Sequence, residues 1–115
     1  MEGFLHTTFP YDVNMPNMSP AAKAFTDAWK AAYPDKDPNV NSALGYVCYN
    51  LILDAITRAG SDNPEAITKA LAETKNFATP LGTLSINATH DAELPVGIIQ
   101  YKNGKRSYIG EAIAD

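Results

Sequence analysis

The clearest pattern in the sequence is a run of apolar residues spaced three and four apart between Ser42 and Gly60. This spacing is typical of an amphipathic helix with a wide buried face. The face is formed by Leu44, Val47, Cys48, Leu51, Ile52, Ala55, Ile56 and Ala59, and is widened by Tyr49 and Leu53. Ser42 is predicted to cap the first turn, and Gly60 to end the helix in the left-handed conformation. A helix that is apolar around so much of its circumference is expected to be covered on more than one side, with Cys48 as a buried, inert thiol.

Two shorter helices are predicted on either side of this one. Ser19 precedes Pro20, which is a cap followed by a first-turn proline, and an apolar stripe of helical period then continues to Pro34. Asn63 and Pro64 repeat this signal before a second stripe that ends near Lys75. The helices therefore occupy the middle of the chain.

Strand patterns lie at the two ends of the chain. Residues 3–8 and 84–86 are short strand candidates, and residues 96–101 give the strongest strand signal. Asn103-Gly104 forms the centre of a predicted two-residue hairpin turn, with residues 106–109 as the return strand. The fold class is therefore α/β, with three helices, a leading strand, a crossing strand and a C-terminal β-hairpin. Since the helices separate the strands, the strands are not all expected to belong to one sheet.

Composition and charge narrow the class of protein. The chain has 115 residues, of which 45% are hydrophobic, and this is enough for one globular domain. The net charge is −4 and no stripe of Lys and Arg is present, so nucleic acid has no electrostatic basis as a partner. The single cysteine cannot form an internal disulfide.

No constellation of catalytic residues is visible, and the chain is predicted not to be an enzyme. His6 and His90 are far apart, and Asp35 and Asp37 lie in a turn where they are expected to bond local amides. We therefore predict no catalytic residue, no metal site and no cofactor.

Four residues at the ends of predicted elements are candidates for ligand binding. Phe9 and Tyr11 follow the first strand, and Asn41 and Ser42 stand at the amino end of the long helix. Free N–H groups at a helix N-terminus favour an anionic group such as a carboxylate. The alternative is that Tyr11 packs in the core while Asn41 and Ser42 only cap the helix. The residues alone leave both interpretations open.

Several segments in a fixed order resemble a known family. The carrying features are Ala-Leu-Gly-Tyr at 43–46, Asp-Ala-Ile to Ala-Gly at 54–60, Asn-Pro-Glu-Ala-Ile at 63–67, and Gly-Thr-Leu-Ser-Ile at 82–86 before the hairpin. In this order and spacing, over essentially all 115 residues, the chain resembles the carboxy-terminal third of the bacterial branched-chain amino acid binding proteins of ABC transporters.

The resemblance implies part of a periplasmic-binding-protein-like fold of type I, in which two α/β lobes close on a ligand. It divides a single fragment, 1–115, into a strand and crossing segment (1–14), a helical part of the first lobe (15–81), and a crossing back with the hairpin of the second lobe (82–115). Asn41 aligns with a position that is aromatic in the leucine-binding relatives and touches the ligand side chain. Asparagine departs from this pattern and argues against an aliphatic ligand.

The resemblance also implies a function and partners. The expected function is capture of an amino acid, or a related small carboxylate or amide, for an ABC-transporter membrane permease in a periplasmic or extracytoplasmic location. A ligand-sensing domain of a signalling or regulatory receptor with the same fold is the alternative. The apolar face of the long helix would be exposed in a fragment, so a homo-oligomer or a dimer with exchanged elements is expected.

Overall fold

Three helices and six strands make up the computed structural model, which describes residues 2–113. The predicted α/β class is confirmed. Residues 1, 114 and 115, which belong to the first and last predicted segments, lie outside the described part. The elements are β1 (Leu5–Thr8), α1 (Pro20–Ala32), α2 (Val40–Ala59), α3 (Pro64–Ala72), β2 (Phe77–Thr79), β3 (Gly82–Ile86), β4 (Ala92–Glu93), β5 (Val96–Lys102) and β6 (Lys105–Ala112).

The strands form two separate antiparallel sheets, which agrees with the expectation that they do not all belong to one sheet. One sheet has the order β1-β5-β6, and the other has the order β2-β3-β4. The short strands β2 and β4 were not predicted, because three and two residues are too few for an alternating pattern. The hairpin between β5 and β6 turns at Asn103 and Gly104, whose φ angles of 52° and 69° are both positive, as a two-residue hairpin turn requires.

Helix boundaries follow local signals, with one correction. Ser19 and Asn63 cap α1 and α3, and Gly60 ends α2 in the left-handed conformation, as predicted. The prediction that Ser42 caps α2 is wrong, because Asn39 is the capping residue and the helix begins at Val40. Asn39 and Ser42 exchange hydrogen bonds in a capping box, so Ser42 lies one turn inside the cap.

The largest core joins the first two helices to β3 and to the segment after β1. It contains Tyr11, Ala22, Phe25, Ala43, Val47, Leu81 and Leu84. The ring of Phe25 contacts both Tyr11 and Tyr46, at centroid distances of 5.5 and 5.0 Å. This core holds the amino-terminal half of α2.

The carboxy-terminal half of α2 is covered on one side only, so the prediction that this helix is covered on several sides is wrong. Tyr49 and Ile52 are 65% and 49% exposed, and Leu53 and Ile56 are also exposed. Cys48 is exposed as well, which corrects its prediction as a buried thiol. The helix period identified a wide apolar face, but period alone does not say whether the described chain contains enough structure to cover it. The expectation of an exposed apolar face is confirmed.

Arg58 joins the end of α2 to α3 through hydrogen bonds. Its guanidinium donates to the Ala70 carbonyl oxygen at 2.6 Å and to the Thr74 hydroxyl at 2.8 Å, and it pairs with Asp54 at 2.7 Å. Hydrogen bonds from a charged donor are stronger than neutral ones. The two helices are therefore joined by polar contacts as well as by packing.

None of the helices within residues 2–113 has the length and apolarity needed to cross a lipid bilayer.

Candidate functional site

The described chain consists of two units that are joined by two connections. The sheet unit contains β1, β5 and β6, and the helical unit contains α1 to α3 with β2 to β4. The chain passes between them twice, through the first connection (residues 9–19) and through Leu94-Pro95. Sites between two units of this kind are common places for small ligands.

Two glycines permit close packing where the chain crosses the junction. A Cβ atom added at Gly97 would lie 2.9 Å from the Cα atom of Pro10. A Cβ atom at Gly82 would lie 2.9 Å from ring carbons of Pro95, and Gly82 also has a φ angle of +108°. Each connection therefore packs a proline against a glycine, Pro10 against Gly97 of β5 and Pro95 against Gly82 of β3. The sequence reasoning missed this pairing, although Pro10 shortly after β1 and Pro95 directly before β5 were visible signals.

Tyr11 is buried in the helical unit. Its ring packs edge-on against Phe25, and its hydroxyl lies 2.7 Å from the hydroxyl oxygen of Thr26. Since Thr26 also donates to the Ala22 carbonyl oxygen at 2.8 Å, the Tyr11 hydroxyl is the donor in the pair. Burial raises the pKa of Tyr11 above its ordinary value. The side chain anchors the first connection to α1.

Phe9 occupies the other side of the same short segment and is exposed. The Tyr11 N–H donates to the Phe9 carbonyl oxygen at 2.8 Å, which makes a tight turn around Pro10. The turn sends the Tyr11 side chain into the core and leaves the Phe9 ring available for contact.

Asn41 and Ser42 lie in the first turn of α2 and differ in their local role. The Ser42 N–H donates to the Asn39 side-chain oxygen at 3.0 Å, and the Ser42 hydroxyl accepts from the Asn39 N–H at 3.4 Å. Asn41 is exposed and takes no part in this capping box. The Asn41 side chain is therefore the more accessible of the two for an external group.

The core brings two of these places together. Tyr11 belongs to the same buried cluster as Ala43 and Val47, so the first connection packs against the first turns of α2. The exposed Asn41 and the exposed Phe9 flank this buried contact in sequence, one on each element. Taken singly, the aromatic ring of Phe9, the amide of Asn41 and the N-terminus of α2 are groups that can contact a small carboxylate or amide.

A cleft of about 970 Å³ lies between the sheet unit and the helical unit. None of the four candidate residues Phe9, Tyr11, Asn41 and Ser42 lines this cleft. It is bordered by the prolines Pro10, Pro80 and Pro95 and by the acidic residues Asp91, Glu93 and Glu111. Within residues 2–113, no group of three His, Cys, Asp or Glu side chains is arranged to hold a metal ion.

The sequence profile of the periplasmic binding protein family matches residues 1–106, and the chain belongs to this family. A relative from Brucella suis, Leu/Ile/Val-binding protein homolog 1, is 32% identical over 114 residues, which cover 95% of this chain and 29% of the relative. The chain thus spans less than a third of the length of that relative. A homolog 2 from Brucella abortus is 28% identical over 106 residues.

Solved structures give the same assignment. The leucine-binding protein LivK of Thermotoga maritima is 36% identical, with a TM-score of 0.82, over 97% of this chain and 31% of that protein. The substrate-binding protein LivJ of Streptococcus pneumoniae, solved in complex with isoleucine, is 27% identical, with a TM-score of 0.75, over 96% of this chain and 30% of that protein. The described fold is therefore part of a type I periplasmic-binding-protein fold.

Proposed function

We propose that this chain forms the carboxy-terminal part of an extracytoplasmic solute-binding protein that captures an amino acid, or a related small carboxylate or amide, for an ABC transporter. The observation that carries the proposal is the packing of the first connection against the amino-terminal turns of α2, within a chain of the periplasmic binding protein family. The membrane permease of the transporter is the proposed protein partner.

We also infer that the two units belong to different lobes of the receptor, with β3 and β4 on the side of the helices, so that the boundary lies at Leu94-Pro95 rather than at residue 82. The helical unit and the sheet unit are joined by two connections, and each connection packs a proline against a glycine. Such an arrangement lets two bodies keep their internal packing while their relative angle changes.

The amino end of α2 is the proposed contact for the ligand. The N-terminus of a helix carries partial positive charge and favours a carboxylate. Asn41 adds an exposed amide that both donates and accepts hydrogen bonds. Phe9 supplies an exposed aromatic surface on the other element.

A thermal-shift screen of the full gene product that carries this chain tests the proposal. L-leucine, L-isoleucine, L-valine, L-glutamine and benzoate serve as probes, because they separate aliphatic, amide and aromatic carboxylates. A ligand at one hundred times its Kd stabilises the folded state by about 2.7 kcal/mol. A rise in melting temperature with at least one amino acid supports the proposal, and no rise with any probe contradicts it.

Substitutions on one helix locate the contact. Asn41→Ala should weaken binding of the ligand found in the screen. Asn50→Ala is the matched control, since Asn50 lies on the same helix and donates only to the Tyr46 carbonyl oxygen at 2.8 Å. Equal affinity of the Asn41→Ala variant and the parent would remove Asn41 from the proposed site.

A further inference from the structure

Two adjacent residues of the first connection contact different units, one the helical unit and the other the sheet unit. Tyr11 is buried in the helical unit, with its hydroxyl bonded to Thr26. The next residue, Asp12, turns the other way and pairs with Arg106 of β6, at 3.3 Å between Oδ2 and Nη1. A single step along the backbone therefore links the helical core to the hairpin of the sheet unit.

Local hydrogen bonds orient the Asp12 carboxylate independently of its contact with Arg106. Its other oxygen, Oδ1, accepts the Asn14 N–H at 3.0 Å, and the Asp12 carbonyl oxygen accepts the Met15 N–H at 2.9 Å. Since this local turn fixes the side chain, forming the ion pair costs little additional conformational entropy on the aspartate side. The carboxylate is also shielded, with a side-chain exposure of 16% against 40% for Arg106.

The other ion pairs within residues 2–113 do not connect the units. Lys23–Asp27, Asp54–Arg58 and Lys69–Glu73 are one helical turn apart on single helices, and Lys30–Asp37 joins α1 to the loop after it. Their side chains are more exposed than that of Asp12. The Asp12–Arg106 pair is thus distinguished by both its place and its burial.

A cavity lies beside the ion pair, so packing does not fix the relative position of Asp12 and Arg106 on that side. A cavity of about 550 Å³ is lined by Asp12, Val13, Asn14, Pro16, Arg106, Ser107 and Tyr108. Close packing occurs at the Gly97–Pro10 contact, two residues before Asp12, and at the Gly82–Pro95 contact on the other connection. The hairpin therefore has a pivot at Gly97 and room to move at Arg106.

We propose that the Asp12–Arg106 ion pair sets the angle between the sheet unit and the helical unit, so that Asp12 and Arg106 are positioning residues for the two halves of the ligand site. The consequence for ligand capture rests on the proposed function, whereas the angle is a property of this chain alone. Without the pair, the hairpin turns about the Gly97–Pro10 contact into the adjoining space. The units then sample a wider range of angles.

Pulsed electron paramagnetic resonance on the chain measures this angle without any ligand. Cys48 is replaced by serine, because it lies on the α2 face proposed for self-association, and spin labels are attached to Ala28→Cys on α1 and Thr7→Cys on β1, both exposed positions. The labelled chain is diluted into excess unlabelled chain, so that only distances within one molecule contribute. The parent should give one narrow distance distribution. Asp12→Asn and Arg106→Gln should each lower the ratio of the parent distance to other distances about fivefold, the size of effect that a partly exposed ion pair gives.

Three comparisons make the result specific. The double variant Asp12→Asn with Arg106→Gln should be no broader than either single variant, because both remove the same contact. Arg106→Lys should retain most of the parent distance. Lys23→Gln, which removes an exposed pair on α1, should leave the distribution unchanged.

Salt provides a second measurement that needs no substitution at the pair. Raising the ionic strength weakens a partly exposed ion pair, so the distribution of the labelled parent should broaden with added sodium chloride. The proposal is overturned if both single variants keep the narrow parent distribution, or if the parent is unaffected by salt. Because no ligand is present, a failure of the amino-acid screen leaves this result standing, and the reverse also holds.

Discussion

Replacement of Gly97 by alanine should destabilise the folded chain, because the added methyl group has no room at the junction. Its Cβ would lie 2.9 Å from the Pro10 Cα atom, 3.3 Å from the Pro10 nitrogen and 3.1 Å from Cε2 of Tyr108. Two of these neighbours are backbone atoms, which cannot turn aside as the end of a flexible side chain can. Either β5 or the first connection has to move.

Two opposing effects set the magnitude. Forcing an extra carbon into a well-packed site costs about 1–3 kcal/mol. Alanine also restricts the unfolded chain more than glycine, and this stabilises the folded state by about 0.4–1 kcal/mol. The steric cost is the larger effect. We therefore expect the free energy of unfolding of Gly97→Ala to fall by about 1–2 kcal/mol.

Gly110→Ala is the matched control in the same sheet. Gly110 lies on β6 opposite Ile98, its added Cβ would have no neighbour within 4 Å, and its φ angle is not positive. Only the effect on the unfolded chain remains there, so this variant should be more stable than the parent by about 0.4–1 kcal/mol. The two substitutions are chemically identical and should change stability in opposite directions.

Urea unfolding followed by circular dichroism measures both variants. A change in the midpoint at constant slope reports stability, and a change in slope would show that the folded or unfolded state itself had altered. The reasoning is refuted if Gly97→Ala unfolds at the parent midpoint or above it while Gly110→Ala behaves as expected. The close approach of β5 to Pro10 would then be absent in solution.

Three further outcomes are expected. Asn39→Ala should lower the free energy of unfolding by about 1 kcal/mol through loss of the α2 cap. Asn41→Ala should leave the free energy of unfolding nearly unchanged. Equal effects of the two substitutions in urea unfolding would contradict the cap assignment. Burial, followed by the nearby Glu111 charge, raises the pKa of Tyr108 to about 12. The unfolded chain therefore loses this proton near pH 10, while the folded chain keeps it. The free energy of unfolding should fall as pH rises from 10 to about 12. This fall should be less steep in Tyr108→Phe than in a Tyr33→Phe control. Light scattering of the chain should give a mass above 12.4 kDa that Ile52→Glu lowers, and a monomeric parent would exclude self-association through the apolar face of α2.

Local signals in the sequence predicted much of the fold. Ser19-Pro20, Asn63-Pro64 and Gly60 mark helix ends through the conformations that these residues adopt by themselves, and Asn103-Gly104 fixes a hairpin turn in the same way. The α2 cap was misplaced because Asn39 and Ser42 are both good capping residues three positions apart. Only the helix start distinguishes the N-cap from the third helical residue of a capping box.

Features that depend on distant residues could not be predicted in this way. Cys48 lies on the apolar stripe of α2, yet it is exposed because the described chain places nothing over that stripe. The Asp12–Arg106 pair joins residues far apart in sequence, and no periodicity connects them. For the candidate site, the sequence indicated the elements that carry Phe9, Tyr11, Asn41 and Ser42. It did not indicate that Tyr11 points into the core while Asn41 faces outward.

The Arg58 contacts have a consequence for how the molecule opens. One guanidinium bridges the last turns of α2 to Ala70 and to the buried Thr74, whose carbonyl oxygen in turn accepts the Ile86 N–H at 2.9 Å. Separation of α3 from α2 therefore also exposes the end of β3, and these elements should exchange their amide hydrogens as one cooperative unit. The exposed apolar stripe of α2 therefore belongs to a section of the chain that unfolds locally in one step rather than residue by residue.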